Sequence, residues 1–165
     1  MFKNLILLAL FLFIYSCSDS VEVNNLGAYK QEKISFKSKN IYGFENLFDG
    51  NLEFQKDQDA FGILHFPDNY DAEKKYPLVI ASHGSLNWRA HHRRYLEQMR
   101  QANYLVFAIH PFDSRNVSST VGDQINVTSE TVIYDMAQAL NLMSKDSRVN
   151  TKKIFAAGWS LGGTA

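Results

Sequence analysis

Residues 154–163 read IFAAGWSLGG, and they carry a short apolar run into a serine framed by glycines. Four consecutive apolar residues, Ile154 to Ala157, predict a strand buried on both faces, which ends at Gly158. Gly158-Trp159-Ser160-Leu161-Gly162 follows, and a helix is expected to begin at Leu161. A Gly-x-Ser-x-Gly sequence between a strand and a helix is the pattern of a nucleophile elbow. Its tight bend lifts the serine hydroxyl above the sheet, and its glycines allow backbones to approach closely. Gly163, beside Gly162, extends that close packing into the helix. In such a bend the Leu161 amide faces the place where an oxyanion forms. A phosphate-binding loop fits less well, since no Gly-Lys-Ser/Thr follows.

Working outward, the same kind of apolar run recurs. Leu78-Val79-Ile80-Ala81 stops at Ser82-His83-Gly84-Ser85, and Leu105-Val106-Phe107-Ala108-Ile109 stops at His110-Pro111. Earlier candidates are a strand near 31–38, around Ile34-Ser35-Phe36, and one over 61–66, closed by Pro67-Asp68-Asn69-Tyr70. Helical spacing lies between the runs. Tyr95, Leu96, Met99 and Ala102 share one face of a helix over 89–102. A second helix starts at a Thr128 or Ser129 cap, with Glu130 in its first turn and an apolar face of Val132, Ile133, Met136, Ala137, Leu140 and Met143. Strand and helix in alternation predict an α/β fold with a parallel central sheet. Ligands bind such sheets beyond the carboxyl ends of the strands. His83-Gly84-Ser85, His110-Pro111 and Ser160 all fall there. The Ser85 amide is the expected second oxyanion donor, and one such donor is typically worth ~3 kcal/mol in the transition state.

The whole chain has 165 residues, 45% of them hydrophobic, enough for one domain with a core. Seventeen basic residues balance seventeen acidic ones, so nothing indicates a nucleic-acid partner. At the amino terminus, Lys3 precedes the unbroken apolar run Leu5–Tyr15. This run is shorter than the roughly 20 residues a spanning helix needs and has the flanks of a signal peptide. Ile14-Tyr15-Ser16-Cys17 resembles a bacterial lipobox, whose Cys becomes the lipidated first residue of the mature chain. Cys17 is the single cysteine, so no intrachain disulfide can form. These features divide the chain into a signal peptide (1–16), a lipid-anchored tether (17–30) and a folded part (31–165). The expected location is the bacterial cell envelope, anchored to a membrane surface without spanning it.

The chain from about residue 60 to its last residue resembles the amino-terminal half of an α/β-hydrolase, closest to the dienelactone hydrolase-like group. The pieces that carry the likeness are PLVIASHGS, NYLVFAIHPFDSRNVSSTVGDQ and VIYDMAQALNLMSKDSRVNTKKIFAAGWSLGG. The resemblance implies an α/β-hydrolase fold, with a mostly parallel sheet and flanking helices, cut short just after the elbow. It implies hydrolysis of a small-molecule ester or related acyl bond through an acyl-enzyme on Ser160, without a cofactor. The founding dienelactone hydrolases use cysteine where this chain has Ser160, so their lactone substrate does not carry over. In this fold the acid and histidine of the triad follow the nucleophile in the chain. The 165 residues are therefore expected to be an inactive amino-terminal part of an enzyme. In the family's strand order the elbow strand then lacks a neighbour and leaves an apolar edge unpaired.

Several further residues fall around the site. His83 is expected to brace its loop, and His110, about two strand spacings from the elbow, to be packed or solvated. Trp88 either lines the acyl pocket or anchors the first helix. Arg115 either pairs with Asp113 or binds substrate, and Trp159 packs on a neighbouring segment. The basic cluster Arg89, His91, His92, Arg93, Arg94 and Arg100 reads as a solvated helix face rather than an anion-attracting rim. His91-His92 has no partner at metal-ligand spacing, so no metal is expected. The rival readings are a peptidase or acyltransferase on the same fold, and a binding protein without catalysis.

Overall fold

The computed structural model describes residues 29–165. The signal-peptide segment, Cys17 and nearly all of the tether lie outside the described residues. In chain order the elements are β1 (Gln31–Lys39), α1 (Phe44–Phe48), β2 (Asp57–His65), β3 (Tyr76–Ser82), α2 (Ala90–Gln101), β4 (Leu105–Ile109), α3 (Ser129–Met143), β5 (Val149–Gly158) and α4 (Leu161–Thr164). A single 3-10 turn, Asp113–Arg115, lies between β4 and α3.

The strands form one sheet in the order β1-β2-β4-β3-β5. β3 pairs in parallel with β4 and with β5, while β2 runs antiparallel to both β1 and β4. The sheet is thus mixed, with its parallel part confined to β4, β3 and β5. Two antiparallel steps bring β1 back into line with β4. Gln31 therefore lies at the end of the sheet opposite Ser160, where Arg148 donates to Glu32 at 2.5 Å.

Alternation along the central strands explains why their sequences are apolar throughout. Leu78, Ile80, Leu105, Phe107 and Ile109 face one side and pack with Ala139 and Met143 of α3. Val79, Ala81, Val106 and Ala108 face the other and pack with Leu96 of α2. Side chains alternate across a strand, so each run must satisfy two apolar layers.

Both long helices keep part of the expected face inward, Leu96 and Met99 in α2 and Val132, Met136 and Met143 in α3, and turn Tyr95 and Leu140 outward. α3 is capped by Thr128, whose hydroxyl accepts from the Thr131 amide at 3.1 Å. Its buried residues are Thr131, Val132, Asp135, Ala139 and Met143, while Leu140 is 45% exposed. The cause is Asp135, which faces inward to receive both Arg115 terminal nitrogens, at 2.8 and 3.0 Å, and the Ser38 hydroxyl. Burial pushes the Asp135 carboxyl up, against the pull of Arg115. In α2 the inward residues are His92, Leu96 and Arg100, and Tyr95 is half exposed. Arg100 is held by Glu97 and Asp68 and stacks on the Tyr29 ring. The basic cluster is consequently split: His91, Arg93 and Arg94 are solvated, and His92 and Arg100 are not.

Candidate active site

Ser160 follows the last residue of β5 by two positions and stands at φ 51° and ψ −119°. A non-glycine residue in that region carries strain of about 1–3 kcal/mol, which persists only where surrounding structure enforces it. The enforcement comes from glycine contacts. A Cβ on Gly158 would lie 1.9 Å from the Gly162 carbonyl oxygen, and one on Gly162 would lie 2.5 Å from the His83 oxygen. The bend therefore closes against both its own helix and the end of β3. Ser160 is exposed, whereas Leu161 is buried among Phe112, Val127 and Val132.

The loop after β3 meets this bend directly. A Cβ on Gly84 would lie 3.0 Å from the Ser160 Cβ and 2.9 Å from the Trp159 oxygen. The carbonyl of Gly84 accepts from His83 Nδ1 at 2.8 Å and from the Asn87 amide at 2.9 Å. In a trans peptide the N–H points opposite to the C=O. Fastening the Gly84 oxygen thus turns the Ser85 N–H the other way. Among the described residues, neither the Ser85 amide nor the Leu161 amide donates to an acceptor. Two backbone donors are left free on the two loops that meet at Ser160, as an oxyanion pocket requires.

Both histidines of the site are engaged through Nδ1, while His83 Nε2 is buried without a hydrogen-bond partner among the described residues. The His83 ring is buried against Phe112 and Trp88, with ring centroids 4.5 and 5.5 Å away. Burial pulls it down to about 4, outweighing the bond to Gly84, so it is a neutral brace with its proton on Nδ1. His110 stacks on Phe61 at 5.0 Å and bonds Asp113 through Nδ1 at 2.6 Å. Burial lowers His110, and Asp113 only partly restores it. Burial raises the Asp113 carboxyl, but bonds from His110 and Asn87 outweigh it and leave it low. Among the described residues, no histidine or carboxylate is hydrogen-bonded to Ser160.

The remaining candidates are placed as follows. Trp88 is fixed in place: its Nε1 donates to the Ile109 carbonyl at 3.0 Å, and its ring meets His83, His92, His110 and Trp159. Trp159 packs on α2 through His92 and Tyr95. Arg115 requires correction. Its side chain is 4% exposed, and it is spent on Asp135, Asn40, Pro111 and Lys39, leaving neither a pair with Asp113 nor a donor for substrate. Asp113 instead accepts from Asn87 at 2.8 Å.

Sequence reasoning passed over Asn87, Ser119 and Thr120. Asn87 adopts φ 66°, a left-handed conformation that asparagine tolerates better than most residues, and its position in a short turn is the signal that marks it. Ser119 Oγ and the Thr120 amide both donate to the Ser85 carbonyl at 3.0 Å. Their separation from Ser85 along the chain left no local signal.

No protein-family model matches the chain, and no curated protein matches it in sequence. Solved structures do match. The protein named m3DLH is 19% identical, with a TM-score of 0.55 over 84% of this chain and 52% of its own. A dienelactone hydrolase-like promiscuous phosphotriesterase from metagenomic libraries is 15% identical, with a TM-score of 0.50 over 83% and 52%. The acylaminoacyl peptidase of Pyrococcus horikoshii is 15% identical, with a TM-score of 0.53 over 84% and 20%. This chain spans about half the length of the first two of these structures. The strand order, the bend at Ser160 and these likenesses define the fold: it is that of the α/β-hydrolases.

Proposed function

We propose that the chain supplies the nucleophile and oxyanion pocket of a serine hydrolase that cleaves an ester or related acyl bond of a small molecule. The observation that carries this reading is the exposed Ser160 on a left-handed bend, with the Gly84 backbone against its Cβ. In the reaction Ser160 Oγ attacks the acyl carbon while a base takes the hydroxyl proton. The carbonyl oxygen becomes an oxyanion held by the Ser85 and Leu161 amides. Collapse expels the alcohol, which takes up that proton, and leaves an acyl-enzyme. Water then releases the acid and restores the serine.

Among the described residues no base is in place. His83 and His110 are committed to Gly84 and Asp113. The triad order of the fold assigns acid and histidine to residues after the nucleophile. Without a base a serine hydroxyl is a poor nucleophile at neutral pH, so residues 1–165 alone are expected to be inactive. The likeness to an acylaminoacyl peptidase supports a peptidase as a second reading on the same bend. If the full gene encodes no acid and histidine after the elbow, a binding protein without catalysis replaces both.

We also propose that Cys17 carries a lipid and holds the protein on a membrane of the bacterial envelope, on the strength of the apolar run before it. Loss of membrane association in Cys17→Ser cells tests this. For the enzyme, a fluorophosphonate probe on the full-length protein is decisive. Labelling that disappears in Ser160→Ala supports the hydrolase, and absence of labelling in the wild type overturns it.

A further inference from the structure

Trp159 packs against Trp88, His92 and Tyr95. The segment between Asn116 and Thr128 is fastened to both residues proposed as oxyanion donors. It reaches Ser85 through Ser119 and Thr120, and Leu161 through the packing of Val127. That segment leaves Val121 64% exposed, and Leu86, directly after Ser85, is 51% exposed. The Ser85–Thr120 hydrogen bond brings the stretches bearing Leu86 and Val121 side by side. Asp123, which accepts from Asn126, adds a negative charge to the same segment. Arg100 and Arg115 are spent on carboxylates of their own and offer nothing to an anion.

We propose that Leu86 and Val121 form an apolar rim that selects neutral esters with an acyl chain longer than acetyl. The proposal rests on the reading of Ser160 as nucleophile and specifies its substrate class. An acyl carbon held at the two amides must extend its chain past one wall of the site. Trp159 is taken up by its aromatic neighbours, whereas Leu86 and Val121 present apolar surface to water. Each methylene that leaves water there raises kcat/KM by up to about fourfold. The Asp123 carboxylate disfavours esters whose acyl arm ends in a carboxylate.

The test compares p-nitrophenyl acetate with p-nitrophenyl hexanoate on the full-length protein. Hexanoate should exceed acetate in kcat/KM by about tenfold or more. The double variant Leu86→Ser/Val121→Ser should bring the ratio below about threefold. Both side chains are exposed, so the variant keeps the fold, which thermal unfolding checks. A parallel titration of the Ser160→Ala protein with p-nitrophenyl hexanoate, followed by ligand NMR, reads the rim without turnover. Ester hydrolysis with a flat chain-length profile overturns the rim and leaves the hydrolase standing. Hexanoate binding that the double variant weakens, in a protein that hydrolyses nothing, upholds the rim and removes the hydrolase. Neither hydrolysis nor binding ends both.

Discussion

β3 and β5 begin from similar sequences and end in different circumstances. Both carry a short run of apolar residues, and they pair along their length. Yet nearly all of β3 is buried, whereas β5 is largely open and Phe155 is 50% exposed. The difference is one of neighbours. β3 has a strand on each side and a helix on each face, and β5 is the edge of the described sheet. An apolar run states what a strand can tolerate, while its place in the sheet decides how much it contributes. The candidate site sits where the buried strand and the edge strand end together.

The largest expected effect breaks the comparison at that shared end. In the full-length protein, Ser160→Ala should lower ester turnover by up to about 10⁶-fold, by analogy with triad deletions, while Ser82→Ala on β3 should leave most of it. Steady-state kinetics on one ester checks both. Next comes the ion pair beside the central strands. Asp135→Ala strands Arg115 in the interior and should cost about 3–5 kcal/mol in urea unfolding. A loss under 1 kcal/mol would show that the pair is not buried as described. The comparison itself is sharpened by truncating one side chain on each strand. Ile80→Ala in β3 should cost about 2–5 kcal/mol, and Phe155→Ala in β5 about 1 or less. Equal costs in the same denaturant series would mean that β5 is covered.

A separate effect is the slope of stability with pH. His83 and His65 are both held down to about 4 by burial. Between that value and their ordinary 6.5 the unfolded chain binds more protons than the folded one. Stability should therefore be level above about pH 6.5 and fall as the pH drops toward 4. Each histidine contributes up to about 1.4 kcal/mol per pH unit. His83→Gln should flatten the curve, and unfolding at a series of pH values measures it.

Strand positions were legible because the central runs are apolar on both faces, and the glycines at 158 and 162 announced a bend that only close packing explains. The outward turn of Leu140 was not legible. Its helix is oriented by Asp135, and the partner that draws Asp135 inward is twenty residues away. Arg115 misled for the same reason: Asp113 is its near neighbour in sequence, but its carboxylate is taken by His110 and Asn87. The short α1 lacks any buried residue, so no periodic pattern revealed it. In the site, the glycine-framed serine could be read locally. The fastening of Ser85 by Thr120 could not, since it joins two loops that meet only after the sheet has formed.

The return of β1 to the direction of β4 has a consequence for orientation. The chain comes into the sheet at Gln31, on the side remote from Ser160. Under the proposed attachment at Cys17, the anchored segment would join the fold at the end of the sheet away from Ser160.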